Sequence, residues 1–268
     1  MSYDEKCYNC MAMYDAYIFD LDGTVYLGEA LLPGAAETIS RIRAAGRPTL
    51  FLSNNPTRTR AAYAEKLTRL GIPTSESDVI NSSLVMVEWL LQEAPTAVLY
   101  VIGEEPLCRE LREAGFEHSE QPERIQFVVA SFDRTFDYRK LQIAFDAMRA
   151  GARLVATNAD RYCPVPGGGQ PDAAAIIAAI EACTDTHCEV VVGKPSPIMA
   201  AMVRVRLGNA AHRCVIVGDR IETDIAMGVA ANMDTVLVLT GASTIADLER
   251  SPIRPTRVVA TIGELLDA

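Results

Sequence analysis

Short apolar runs rich in β-branched and aromatic residues recur along the sequence at 17–19, 49–52, 98–102, 127–130, 153–156, 190–192, 214–217, 235–239 and 258–260, with helical segments between them. Strands that alternate with helices assemble as a parallel sheet, because each crossover needs a dozen or more residues and lays a helix on a sheet face. The helix ends are marked too: AAGR, RLGI, EAGF, RAGA and RLGN each put a glycine where a helix stops and a left-handed residue is wanted. With 268 residues, 49% of them hydrophobic, the chain can fill one large core or two ordinary ones. The expected class is α/β, with a doubly wound, Rossmann-like parallel-sheet core. No fixed-period repeat, low-complexity tract or block of like charge interrupts the pattern.

The residues directly after each run divide the chain. The runs ending in DLDG (20–23), SNN (53–55), GKP (193–195) and GDR (218–220) place polar or charged residues immediately beyond the apolar stretch. In an open parallel sheet that is the edge where ligands bind. These four runs are expected in one sheet. Residues 82–188 carry their own strands and helices without such endings, apart from TNAD at 157–160, and are long enough to fold as a unit. The expected organisation is an N-terminal extension over 1–13, a discontinuous core over 14–81 and 189–268, and an inserted α/β cap domain over 82–188. Both connections of the insert leave the core beside the strand ends, so the cap is expected to sit over them.

Composition excludes several classes of function. A formal net charge of -10 argues against a nucleic-acid-backbone binder, which would need a basic face. No apolar run approaches the roughly 18 residues of a membrane-crossing helix, and MSYDEKCYNC is acidic and polar where a secretory signal is basic and then apolar. The expectation is a cytoplasmic protein without nucleic-acid or membrane partners. Seven cysteines, an odd and scattered set, suit reduced thiols. Cys7 and Cys10 have metal-ligand spacing, but Cys163, Cys183, Cys188 and the three histidines supply no matching second pair, so the two thiols read as part of the extension.

The strand ends together assemble a chemistry that none has alone. Asp20 and Asp22, one leucine apart, repel each other unless a cation lies between them or one stays protonated. GDRIETD adds Asp219 and Asp224. Carboxylates gathered at one crevice form a hard-oxygen site for Mg²⁺, which prefers a few carboxylates, waters and a substrate phosphate. Ser53 and Asn54 offer a hydroxyl and an amide for phosphate oxygens, and Lys194 a positive charge. Pro195 biases Lys194 toward an extended backbone, while Ser196 and Pro197 have the character of a cap and first helical residue, an end that also favours an anion. Each piece has a plainer reading: a solvated DxD loop, a strand-to-helix turn at GKP, an asparagine turn at SNN, and an acid in the first turn of DIAMGVAA for Asp224.

Taken in order, DLDGT, LSNN, GKPSP and GDRIETD resemble the four motifs of the haloacid dehalogenase (HAD) superfamily of phosphohydrolases. The inserted stretch with ATNAD is similar to the C2-type cap of the class IIA, NagD-like group of sugar phosphatases and nitrophenylphosphatases. The resemblance runs from about Tyr14 onward. It implies Mg²⁺-dependent hydrolysis of small phosphate monoesters, a sugar phosphate or similar metabolite, through an aspartyl-phosphate. Asp20 would then be the nucleophile and Asp22 the general acid and base, with Thr24 assisting. The same resemblance gives Mg²⁺ the Asp20 and Asp219 carboxylates and the Asp22 carbonyl, with Asp224 orienting its water, and gives Ser53, Asn54 and Lys194 the phosphoryl oxygens.

For substrate selection the informative stretch is ATNADRYCPVPGGGQPD, where Asn158 and Asp160 follow a strand and a proline-bearing loop leads to Gly167, Gly168 and Gly169. One expectation is that these glycines form a helix entrance, opened by Pro171, that meets the leaving group through backbone amides; the other is a flexible surface loop. A phosphotransferase or phosphomutase would use the same nucleophile, and a non-catalytic phosphometabolite-binding protein could share the fold. No pattern locates an interface for a homodimer, which stays open.

Overall fold

The computed structural model describes residues 14–165 and 167–266. Cys7, Cys10 and the expected extension lie outside them. In chain order, β1 (Ala16–Asp20) is followed by a small ribbon of β2 (Tyr26–Leu27) and β3 (Ala30–Leu31), then by β4 (Thr49–Ser53) and β5 (Val79–Asn81). Next come β6 (Val98–Ile102), β7 (Glu117–His118), β8 (Phe127–Ala130), β9 (Arg153–Ala156), β10 (Tyr162–Val165), β11 (Gly168–Pro171) and β12 (Val190–Val191). The last three are β13 (Cys214–Gly218), β14 (Asp234–Val238) and β15 (Arg257–Val259).

Six of these form one sheet in the order β15-β14-β13-β1-β4-β5. β1 runs parallel to both β13 and β4, with Ala16 opposite Cys214 and Tyr17 opposite Thr49. Counted by their order in the chain, the strands lie 3-2-1-4-5-6, the doubly wound arrangement whose topological switch point falls between β1 and β13. Every residue of β1, β4 and β13 is buried, which is why these runs are continuously apolar rather than alternating. Tyr17, Phe19, Phe51, Val215 and Val217 pack with Ile39, Ile42, Tyr63 and Leu67 of neighbouring helices.

A second sheet has the order β12-β9-β8-β6-β7 and its own core, in which Ile102, Val128 and Leu154 pack with Ala144, Ile176 and Ile180. The chain divides into two compact units: one holds the described residues up to Ser53 with Arg60–Ile80 and those from Ala200 onward, the other Asn54–Thr59 and Asn81–Met199. Residues 54–59 and 189–199, expected in the core, therefore fall with the second unit.

The largest departure concerns the GKP run. Val190 and Val191 pair in parallel with Val155 and Ala156 of β9, and the ladder continues to Gly193 N–H on Thr157 C=O at 2.8 Å. Only three of the four chemistry-bearing strands, β1, β4 and β13, share the first sheet. An apolar triplet followed by charge identifies a strand end but carries no mark of which sheet it joins. Lys194 and Pro195, joined by a cis peptide, lie inside a turn closed by Ser196 N–H on Gly193 C=O. The glycine stretch is likewise not a helix entrance. β11 pairs antiparallel with β10, Gly168 opposite Val165 and Pro171 opposite Tyr162, and the following helix begins at Ala173, capped by Asp172.

The helix-end glycines match the expectation. Gly46, Gly71, Gly115, Gly151 and Gly208 all have positive φ, between 53° and 104°. A Cβ at Gly115 would meet nothing within 4 Å, so the cost of one there is conformational. Gly115→Ala should lose about 1–2 kcal/mol by urea unfolding, whereas Gly168→Ala, in open space without a positive φ, should lose none.

Candidate active site

At the end of β1 the chain turns at once. The carbonyl of Leu21 accepts from the N–H groups of Thr24, Val25 and Tyr26, and Gly23 N–H donates to Tyr26 C=O at 2.8 Å. Gly23 supplies the φ of 91° this loop needs. The tight winding puts Thr24 Oγ1 3.2 Å from Asp20 Oδ2 and Tyr26 OH 3.4 Å from Asp22 Oδ2, both as donors. Asp20 is buried and Asp22 half-buried.

Across the switch point, β13 ends at Gly218 and Asp219 comes next. Residues Ile221–Ile225 then form a π-helical turn that carries Asp224 inward, where its carboxylate accepts the Arg220 N–H at 3.1 Å. Asp20, Asp219 and Asp224 are 8%, 2% and 1% exposed, and each offers a carboxylate oxygen within 4.8 Å of the others. The backbone closes tightly around them. A Cβ at Gly23 would lie 2.6 Å from Asp219 Oδ2, and one at Gly241 or Gly218 would overlap Asp219 or Asp224. Burial first, then the charges of Asp20 and Asp224, push the Asp219 carboxyl well above the usual carboxylate range, against the pull of the Ala242 N–H at 2.5 Å and of Arg220. Three buried carboxylates gathered this closely are a donor set suited to a divalent cation, and all-oxygen ligation fits the Mg²⁺ class. Asp224 is thus more than an acid favouring a helix dipole, while the Asp22 side chain stands outside the cluster.

The phosphate-holding residues divide differently from expectation. Ser53, the last residue of β4, is buried, and its hydroxyl donates to Tyr63 OH at 3.2 Å. The Asn54 amide is engaged within the protein. Its Oδ1 accepts the Lys194 N–H at 2.8 Å, and its Nδ2 donates to the Lys194 carbonyl at 3.1 Å and to Asp160 at 3.2 Å. The side chain therefore clamps the main chain on both sides of Lys194, itself 3% exposed. Gly193 is required beside it, since a Cβ there would lie 2.8 Å from Asn54 Oδ1. Asn55 forms a local turn, its Oδ1 accepting the N–H and hydroxyl of Thr57 at 2.9 and 2.6 Å.

Asn158, expected to face substrate, is instead fully buried, accepting from Thr157 Oγ1 and donating to Asp172 Oδ1, the cap of helix Ala173–Thr184. It orders the start of that helix. Asp160 is half-buried against Asn54, and Gly167 and Gly168 lie exposed in the β10–β11 hairpin. Sequence reasoning misses the segment after β14: Ala242 N–H binds Asp219, Ser243 Oγ accepts the Ile221 N–H at 3.1 Å, and Thr240 Oγ1 donates to Gly23 C=O at 2.6 Å. Its signal is TGAS, a small polar run placed directly after a buried strand.

Comparison with known proteins agrees with this geometry. A family model described as haloacid dehalogenase-like hydrolase matches residues 17–117, and an HAD-hydrolase-like model matches 191–265. Sugar-phosphatase AraL of Bacillus subtilis is 41% identical over 226 residues, 84% of this chain and 83% of that protein. The acid sugar phosphatase of Staphylococcus aureus is 33% identical across 96% of this chain and 98% of its own. Among solved structures, 4-nitrophenylphosphatase from Thermotoga maritima superposes with a TM-score of 0.91 at 32% identity, covering 97% of this chain and 98% of that one. Glycerol phosphate phosphatase from Mycobacterium tuberculosis, in complex with magnesium, gives 0.87 at 30% identity over 96% and 77%. Motif order, strand order, the buried acid cluster and similarity along nearly the whole chain agree, and the chain belongs to the haloacid dehalogenase-like hydrolase family.

Proposed function

We propose that this protein is a Mg²⁺-dependent phosphatase that hydrolyses small phosphate monoesters, sugar phosphates foremost, through an aspartyl-phosphate on Asp20. The observation that carries the reading is the trio of buried carboxylates at the switch point. The sugar, nitrophenyl and glycerol phosphatases among its relatives support the substrate class.

In the first half-reaction an Asp20 carboxylate oxygen bonds to phosphorus as the ester oxygen departs, and Asp22 gives that oxygen its proton. In the second, Asp22 takes a proton from water, whose oxygen bonds to phosphorus as Asp20 is released with inorganic phosphate. Thr24 fixes the Asp20 carboxylate, and Tyr26 the Asp22 carboxylate. The Asp20 and Asp219 carboxylates and the Asp22 carbonyl, with Asp224 nearby, would hold Mg²⁺, which when bound would supply positive charge to the phosphoryl oxygens. Lys194, and the Ser53 hydroxyl once it turns its proton from Tyr63, hold those oxygens, and Asn54 positions Lys194. The second unit acts as the cap, and its β10–β11 hairpin with Asp160 provides the surface for substrate choice. The thiol-rich, acidic composition supports a cytoplasmic location, and no helix among the described residues is long and apolar enough to cross a membrane.

Phosphate release from a panel of sugar phosphates and nitrophenyl phosphate tests this reading. Asp20→Asn should abolish turnover and Asp22→Asn should lower kcat by about 10²–10⁴-fold; full activity in Asp20→Asn would refute the nucleophile. Asn54→Ala should lower kcat and raise KM with the fold intact by circular dichroism, because Lys194 loses its clamp.

Removal of the metal should appear in stability. Folded Asp219 holds its proton to higher pH than unfolded Asp219, so this contribution is fully present below the usual carboxylate pKa and is lost as pH rises through the folded value. In EDTA, Tm should fall from about pH 4 toward neutrality, Mg²⁺ should restore it, and Asp219→Asn should flatten the dependence.

A further inference from the structure

At the opposite end of β4 from Ser53, the same unit holds a cavity of about 510 Å³. Its lining includes Arg43, Arg47, Thr49, Ser77, Asp78 and Arg206. Thr49 is the first residue of β4 and Ser53 the last, four steps along an extended strand, so the cavity opens roughly 13 Å from the catalytic edge. Three guanidinium groups around one space are unexpected in a chain of net charge -10.

We propose that this cavity is a second anion site, taking a small metabolite that bears a phosphate or carboxylate group and hydroxyls. The guanidinium groups are already held in place. Arg43 Nε donates to Thr49 Oγ1 at 2.7 Å, its Nη1 donates to the Pro73 carbonyl, and the group stacks over Phe51 with Cζ 5.5 Å from the ring centre. Arg206 Nη1 donates to the Ser77 carbonyl at 2.8 Å, and Arg47 Nη1 to Asp15 at 3.2 Å. A guanidinium has five N–H donors, so each of these contacts orients a head that keeps others for an oxyanion. Asp78 in the lining and Asp15 on Arg47 offset two of the three positive charges and leave one over. Burial works against the charge on Arg43 and Asp78 favours it; an anion in the cavity would act in the same sense as Asp78. Asp78 Oδ2 and the Ser77 hydroxyl are engaged by Ser75, and Asp78 Oδ1 provides an acceptor for ligand hydroxyls. The volume lies within the range of small-molecule sites and exceeds what phosphate alone would fill.

The test uses the wild-type protein in EDTA, where the clustered carboxylates of Asp20, Asp219 and Asp224 disfavour anions at the catalytic edge. Inorganic pyrophosphate and citrate serve as probes, with binding read by calorimetry and Tm. Saturable binding that weakens at least tenfold in both Arg206→Ala and Arg47→Ala, with the fold retained by circular dichroism, is the expected result. Preference for pyrophosphate assigns a phosphate ligand and preference for citrate a carboxylate ligand. Hydrogen exchange on the unmodified protein gives a readout independent of the variants: protection should appear at 43–50 and 77–78. No binding of either probe, equal affinity in both variants, or protection only at 20–23 and 53–55 would overturn the proposal. None of these outcomes depends on the phosphatase reading.

Discussion

Three carboxylates packed within 4.8 Å and shielded from water repel one another, and the surrounding structure serves to hold them there. Such a cluster is costly unless a cation or a proton neutralises it. The doubly wound order makes β1 and β13 neighbours, which delivers Asp20 and Asp219 to the same crevice. The π-helical turn after β13 brings Asp224 in from the next segment, and glycines at 23, 218 and 241 leave the space that side chains would otherwise take. At Asp219 the Ala242 N–H and the charge of Arg220 soften the repulsion. A divalent cation would relieve it further, so cation affinity and the strain of the metal-free site have the same origin.

The positive charge that the proposed function assigns to Lys194 is held by different parts of the chain. Lys194 has little freedom: Asn54 grips its N–H and its carbonyl, and Gly193 is the residue that lets Asn54 approach. Asn54 comes directly after Ser53, yet the two residues belong to different compact units. A residue that serves as a main-chain clamp matters through placement rather than through contact with the reacting atoms, and a small displacement of a charged group is sufficient to cost catalysis heavily.

Much of this is legible in the sequence because local physics dictates it. Continuous apolar runs mark the buried parallel strands, the five glycines mark the helix ends, and polar residues after DLDG and GDR mark the carboxylates. The departures have a common cause in long-range pairing. Val190–Val191 could have joined either sheet, and only its ladder with β9 decides. Gly168–Pro171 has a glycine-rich composition that usually argues against a strand, but antiparallel pairing with Tyr162–Val165 imposes one. Asn54 and Asn158 have the right chemistry for ligand contact, and only the three-dimensional neighbours show their hydrogen-bonding capacity committed to Lys194, Asp160 and Asp172.

The central claim is that Asp20 carries the phosphoryl group between two half-reactions. Rapid acid quench of the enzyme turning over a ³²P-labelled sugar phosphate, and then peptide mapping, addresses it directly. The account predicts an acid-stable, base-labile label, formed only with Mg²⁺ and confined to the peptide containing Asp20. A label on another residue, or burst-free turnover with no labelled protein at any quench time, would contradict it.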